Sequence, residues 1–377
     1  MIEGYDLSRD LAALDRALKQ DMPEAAIFYC GRALEVTSAR AVSALNLDPG
    51  NQVFANLDTL ERLGCISRPA LYLGHALRRL SNDARHILRP LSTHDADFAA
   101  LCLGPWLQWY MEDYFRGPRM KDAALAIDSP LAAGTADEVL ALLRHAYETD
   151  EDISARLLPL CNDGIAHLPA LSAMVAETLI SCGHADEAQG VLAAALAAVP
   201  DDLRLAQLYA LGRRRAGHPQ EAIERLQKLS SKYAEDEETL GITAGALKSA
   251  GELAQALKLY QKGWQVSRER NLYLGVNSAA LLLWTGDAER ARRLATSLIA
   301  MFDARAAQLA KSGIVVRRDF YDLVSEAEAR LIAGDNAPAR ALYAQAFSAY
   351  AARQGDIEGC KAQANRSLSL LGGEAIA

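Results

Sequence analysis

Glycines at 183, 217, 251 and 286 divide the second half of the chain into blocks of 34, 34 and 35 residues, and that period leaves few folds open. A block of this length holds two helices of three to four turns and two short turns, which is one helical hairpin. The rest of each block keeps phase with its glycine. Ala188, Ala222, Ala256 and Ala291 follow by five residues, and Ala176, Ala210, Ala244 and Ala279 precede by seven. Leu192, Leu226, Tyr260 and Ala295 follow by nine. The glycines predict a left-handed helix end, which a residue without Cβ adopts at little cost. The alanines predict the points where paired helices cross. Pro200 suits the exit of a second helix. Gly334, Ala339 and Tyr343 resume the pattern after 48 residues, so longer helices are expected there, with 292–311 and 317–332 as candidates.

These features resemble the tetratricopeptide repeat family across residues 169–350. The run Asn271-Leu272-Tyr273-Leu274-Gly275-Val276-Asn277-Ser278-Ala279-Ala280-Leu281-Leu282-Leu283 looks like the TRAFs-binding region of the apoptosis-signal-regulating kinases, a helical-repeat region with bacterial relatives. That resemblance implies a scaffold that positions signalling partners. Read from its chemistry alone, Asn277 serves equally well to satisfy a local backbone group inside its helix.

Composition agrees with helices. Of 377 residues, 51% are hydrophobic with Ala and Leu dominant, while aromatics are only 6%, so strands lack their usual material. The expectation is an all-α protein: an N-terminal helical bundle over 1–116, a connection over 117–136 and an α-solenoid over 137–377. A net charge of −8 argues against a chain-wide nucleic-acid surface. Six cysteines at 30, 65, 102, 161, 182 and 360 form no C-x-x-C pair. They read as buried small hydrophobes in a reducing compartment. The first residues lack the pattern of a signal peptide, and no apolar run reaches the roughly 18 residues of a membrane span. A cytoplasmic protein without membrane contact is expected. No P-loop, dinucleotide fingerprint, H-E-x-x-H or nucleophile elbow is present, and no metal or cofactor is expected.

The N-terminal 116 residues have no phase relation to the repeat. Helices are expected over 7–19, 23–45, 53–63, 70–87 and 98–115, with a turn at Asp48-Pro49-Gly50-Asn51. Glu138–Thr149 and Ile153–Ala166 are expected to form an atypical first hairpin of the solenoid. The stretch from Glu24 to Glu35, with Leu77-Arg78-Arg79-Leu80-Ser81-Asn82-Asp83-Ala84-Arg85-His86, resembles a HEPN-like domain found beside bacterial restriction and defence proteins. Arg78, Asn82, Ala84 and His86 match the family's run, and Ser81 replaces its small Gly. In nuclease members an Arg stabilises the scissile phosphate and a His moves a proton, with the two copies facing across a dimer. The resemblance therefore offers Arg78, Asn82 and His86 as catalytic candidates, metal-independent RNA cleavage as the activity and the N-terminal module as a dimer contact. Ser81 departs from the active pattern. The competing reading is a structural network of Arg78, Asn82 and His86 with Glu35 or Glu61.

In stacked hairpins the first helix of each pair lines the concave face. Projection places Arg204, Gln207, Leu211, Arg214 and Arg215 there, then Glu238, Lys248 and Ser249, then Tyr273, Val276, Ala280 and Trp284, with Asn277 beside them. Arg213-Arg214-Arg215 with Lys248 would be a basic spot in an acidic protein, suited to an acidic peptide, a carboxylate or a phosphate. It reads equally as a solvated charge run closing a helix. Two functions follow: a non-enzymatic scaffold with a protein or peptide in its groove, in bacterial signalling or anti-phage defence, or a ribonuclease regulated by its solenoid.

Overall fold

In the computed structural model, residues 5–86, 90–116, 135–161, 165–230 and 233–376 are described, and they contain helices and turns without a strand. The expected connection over 117–136 lies almost wholly outside them. The chain forms two compact units, one of Met1–Ala141 with Arg305–Arg318, the other of Leu142–Ala304 with Asp319–Ala377.

The first unit is built on α1 (Leu7–Lys19), α2 (Pro23–Ala44), α3 (Val53–Arg62), α4 (Arg68–His86) and α5 (Thr93–Gln108). Helix α2 is the central one, with Ala26, Cys30, Ala33, Leu34 and Ala41 all at 0% exposure. Its buried Thr37 accepts a hydrogen bond from the Trp106 indole at 2.8 Å, and the Tyr114 hydroxyl donates to the Ala41 carbonyl at 2.7 Å. These bonds let two amphipathic aromatics enter an apolar core without orphaned donors. Gly31 on α2 lets Ser81 of α4 cross at contact distance, since a Cβ there would lie 2.0 Å from the Ser81 hydroxyl. The expected fifth helix changes pitch: Pro105 removes a backbone donor inside α5, and residues Trp109–Tyr114 form a π-helical turn.

The second unit contains most of the repeat. After the last two turns of α6 (Thr135–Thr149), the expected helix over 153–166 is reduced to α7 (Ser154–Leu157) and a short 3₁₀ turn carrying Pro159. Pro159 lacks the donor that a longer helix would need there. Hairpins follow as α8 (Pro169–Cys182) with α9 (Ala185–Ala198), α10 (Leu203–Arg215) with α11 (Pro219–Ser230), and α12 (Glu237–Ser249) with α13 (Leu253–Val266). Then come α14 (Leu272–Trp284) with α15 (Ala288–Ser312), α16 (Phe320–Ala333) with α17 (Asn336–Ala349), and a last helix, α18 (Gln354–Leu371). Helix α15 runs beyond this unit, since its residues from Arg305 onward belong to the first.

The repeat signals meet their expected places. Gly183, Gly217, Gly251, Gly286 and Gly334 have φ between 84° and 101°. Ala176, Ala210, Ala244 and Ala279, and Ala188, Ala222, Ala256, Ala291 and Ala339, are at 0% exposure. A further in-phase signal starts the inner helices. Asp202, Asp236 and Asn271 are N-caps whose side chains accept from the backbone amides of Leu205, Thr239 and Leu274. Such caps contribute about 1 kcal/mol each. Asp319 caps α16 in the same way.

Candidate functional site

The inner face of the second unit is lined by α8, α10, α12, α14 and α16, and α18 packs against α8, α14 and α16. The groove in which the sequence places a partner is therefore held by a helix of the chain itself. Nothing in the repeat phase announces it. The one local hint is Gly355-x-x-x-Gly359 in an otherwise polar helix. A Cβ on Gly355 would stand 2.8 Å from the Ile180 carbonyl, and one on Gly359 would stand 2.6 Å from the Arg215 guanidinium. The two glycines let α18 lie directly on the inner face.

Polar contacts along its length fix it. Arg215 donates to the Gly355 carbonyl at 2.7 Å and to Asp356 at 2.8 Å, and Asp356 also takes Arg353 at 2.8 Å and the Tyr321 hydroxyl at 2.5 Å. The Asp356 carboxylate is 1% exposed, so its desolvation is offset by two guanidiniums and a hydroxyl. Burial works against the Arg215 charge, but Tyr321 and Asp356 outweigh it and hold it raised. Further along, Lys248 donates to the Gln363 side-chain carbonyl, and the Gln363 amide donates to Glu328. At the far end the Trp284 indole donates to Ser367 at 3.0 Å, and Arg366 lies 4.3 Å over the Trp284 ring. Burial depresses the Lys248 ammonium and raises the Glu328 carboxyl, each partly opposed by the other.

The residues projected onto the inner face thus divide by role. Arg204 bridges Glu177 at 3.2 Å and Glu238 at 2.7 Å, joining three successive hairpins. Gln207 is 3% exposed and donates to Asp236 and Thr239, both at 2.9 Å, which fastens one repeat to the next. Asn277, also 3% exposed, donates to the Tyr273 carbonyl at 3.0 Å and accepts from Lys248 at 2.8 Å. It satisfies its own helix and a groove residue at once. Val276 and Ala280 are core, at 1% exposure. The run Arg213-Arg214-Arg215 is no single basic spot. Arg213 turns outward to Glu221 at 2.8 Å, Arg215 is neutralised by Asp356, and Arg214 alone faces the groove with no carboxylate among the described residues. Tyr273 is 37% exposed and stands between Tyr260 and Tyr321, with ring centroids 6.3 and 6.4 Å away.

In the first unit the catalytic candidates Arg78, Asn82 and His86 all lie on α4. The Arg78 guanidinium lies over the Phe54 ring at 5.5 Å, with its Nε buried and without an acceptor, while His86 is exposed at the last residue of α4. Asn82 is half-buried on the same helix. Of the carboxylates in the competing reading, Glu35 takes Arg85 at 2.8 Å and Glu61 takes Arg68 at 3.2 Å. Cys30 is fully buried on α2, and burial pushes its thiol well up, so it is no nucleophile beside His86.

With this geometry in hand, comparison with known proteins supplies a family for the repeat. Residues 184–282 match the family described as Tetratricopeptide Repeats-Sensor. The array is of the tetratricopeptide type. Among solved structures the chain is similar to a thermophilic tetratricopeptide-repeat protein of Thermus thermophilus, at 18% identity and a TM-score of 0.38, over 54% of this chain and 98% of that one. It is also similar to PilF of Pseudomonas aeruginosa, at 15% identity and a TM-score of 0.36, over 61% of this chain and 97% of that one. A Rap protein complexed with Competence and Sporulation Factor is similar at 13% identity and a TM-score of 0.47, over 97% of this chain and 92% of that one. No curated protein matches the sequence. Among the described residues no helix is long and apolar enough to cross a membrane, and no group of His, Cys, Asp and Glu is placed to hold a metal.

Proposed function

We propose that this protein is a non-enzymatic scaffold whose tetratricopeptide groove receives a helical segment of a protein partner at the place now held by α18. The observation that carries the reading is the Asp356 anchor: the inner face binds a helix through an acidic residue at its N-terminus, with small residues turned toward α8 and α10. A partner helix with a carboxylate in the position of Asp356 and glycine or alanine in place of Gly355 and Gly359 would meet the same donors. This is helix-in-groove recognition, and α18 is then a resident competitor that sets the threshold for capture. The sensor description of the matched family and the two resemblances in the sequence favour a place in bacterial signalling or anti-phage defence.

The test uses the full chain. A fluorescent peptide of residues 352–372 is titrated into the wild-type protein and into the Gly355→Val variant, in which the side chain forces α18 off Ile180. The variant is expected to bind the peptide at least about tenfold more tightly than wild type, and a peptide carrying Asp356→Lys is expected not to bind. A folded variant that ignores the wild-type peptide would remove the groove as a helix receptor.

A further inference from the structure

Beside α18 the inner face holds donors without acceptors. Arg214 is half-buried, and its Nε is buried with no hydrogen-bond partner. Tyr260 is at 0% exposure, and its hydroxyl likewise lacks a partner; the Tyr273 hydroxyl approaches it without hydrogen-bond geometry. Both groups look onto the same backbone. A Cβ on Gly245 would stand 2.5 Å from the Arg214 guanidinium and 3.3 Å from the Tyr260 hydroxyl. Glycine at this position is what lets the guanidinium lie across α12, where any side chain would displace it. Lys248 stands one turn further along α12, with its ammonium 5.7 Å over the Tyr260 ring.

The neighbouring carboxylates are engaged elsewhere. Asp356 serves Arg215 and Arg353, Glu238 and Glu177 serve Arg204, and Glu328 takes the Gln363 amide and supports the charge of Lys248, whose ammonium also donates to Asn277 and Gln363. A buried donor left unsatisfied is costly, and a guanidinium far from a counter-charge more so. Tyr273, accessible over about a third of its surface, is the exposed neighbour of this cluster.

We propose that Arg214, Lys248 and the Tyr260 hydroxyl form an anion site that takes a phosphate-bearing small molecule, with the Tyr273 ring at its mouth. The chemistry favours phosphate over a single carboxylate. A guanidinium fork, an ammonium and a hydroxyl present donors from three directions, and a phosphoryl group offers oxygens to all of them, whereas a carboxylate offers two in one plane. Arg214 and Tyr260 take no part in holding α18, whereas Lys248 also holds it through Gln363, so the variants that test the site are made at Arg214 and Tyr260. A ligand here would touch α10, α12, α13 and α14 together, so its binding would stiffen the middle repeats.

The probe is inorganic pyrophosphate, titrated calorimetrically into the full chain at constant ionic strength, with sulfate as control. Saturable binding is expected for wild type. Arg214→Gln should weaken it by about tenfold or more while leaving the unliganded melting temperature within about 2 °C, because the lost group has no protein partner. Tyr260→Phe should weaken it less and serves as the second variant. Equal affinity in wild type and both variants, or no saturable binding at millimolar pyrophosphate, would overturn the site. Binding that sulfate matches fully would overturn the preference for a phosphoryl ligand. The peptide titration with Gly355→Val reads the helix groove separately, so either conclusion can fail alone.

Discussion

Asp356→Ala offers the sharpest test of what holds α18 in the groove. The carboxylate is 1% exposed and is held by Arg215, Arg353 and the Tyr321 hydroxyl. Its removal leaves two guanidiniums that burial already disfavours, with no counter-charge between them. Breaking a buried ion pair from one side costs about 3–5 kcal/mol, most of it the penalty of the stranded charge. In a domain of this size a kilocalorie moves the melting temperature by about 2–4 °C, so a cooperative unit should lose roughly 6–20 °C. The assay is thermal unfolding followed by helical circular dichroism, with hydrogen exchange on the same samples. Loss of protection over 354–371 should accompany the shift. Asp356→Asn keeps an acceptor and should fall between wild type and Asp356→Ala. A melting temperature within about 2 °C of wild type, with 354–371 still protected, would refute the claim that this carboxylate anchors the helix.

Two further outcomes are expected. Glu328 is raised by burial, partly opposed by Lys248, Gln363 and Ser367; its folded form holds a proton that the unfolded chain has released, so this group's contribution is full in acid and is lost as pH rises toward neutrality. Glu328→Gln should flatten the fall in urea-derived stability between about pH 5 and about pH 7, and an unchanged slope would show that Glu328 does not titrate there. In the first unit, the Arg78 guanidinium lies over the Phe54 ring with its Nε buried, and the full chain is expected to leave single-stranded RNA intact in the presence of chelator. Cleavage that disappears in His86→Ala would make the N-terminal bundle a nuclease.

The repeat was legible because its requirements are steric and local. A positive φ demands glycine, a helix crossing demands alanine, and both recur at a fixed spacing that survives variation elsewhere. Asp202, Asp236 and Asn271 carried the same period but pass for ordinary polar residues until the helix starts are known. The helix expected over 153–166 failed on Pro159, whose effect depends on where a turn begins. The groove was only half legible. Helical projection put Arg204, Gln207 and Arg215 on the inner side, yet each is occupied, Arg204 and Gln207 by adjacent repeats and Arg215 by Asp356, 141 residues away. Three consecutive arginines look alike as a string, but each step of about 100° around the helix sends them to a neighbouring helix, an open groove and a buried carboxylate. What α18 covers depends on tertiary closure, and no periodic signal encodes that.

The contact of α18 with α8 also alters how this array comes apart. A row of hairpins held only by adjacent neighbours melts from its two loose termini inward, each end fraying independently of the other. Here Arg353 at the start of α18 donates to Ser181 of α8 at 3.1 Å, and Gly355 rests on Gly183. Helix α18 buttons onto α8, the first helix of the first full hairpin, so the two sides of the row are held together. Unzipping must begin by undoing that clasp, and whatever lifts α18 also restores two fraying ends.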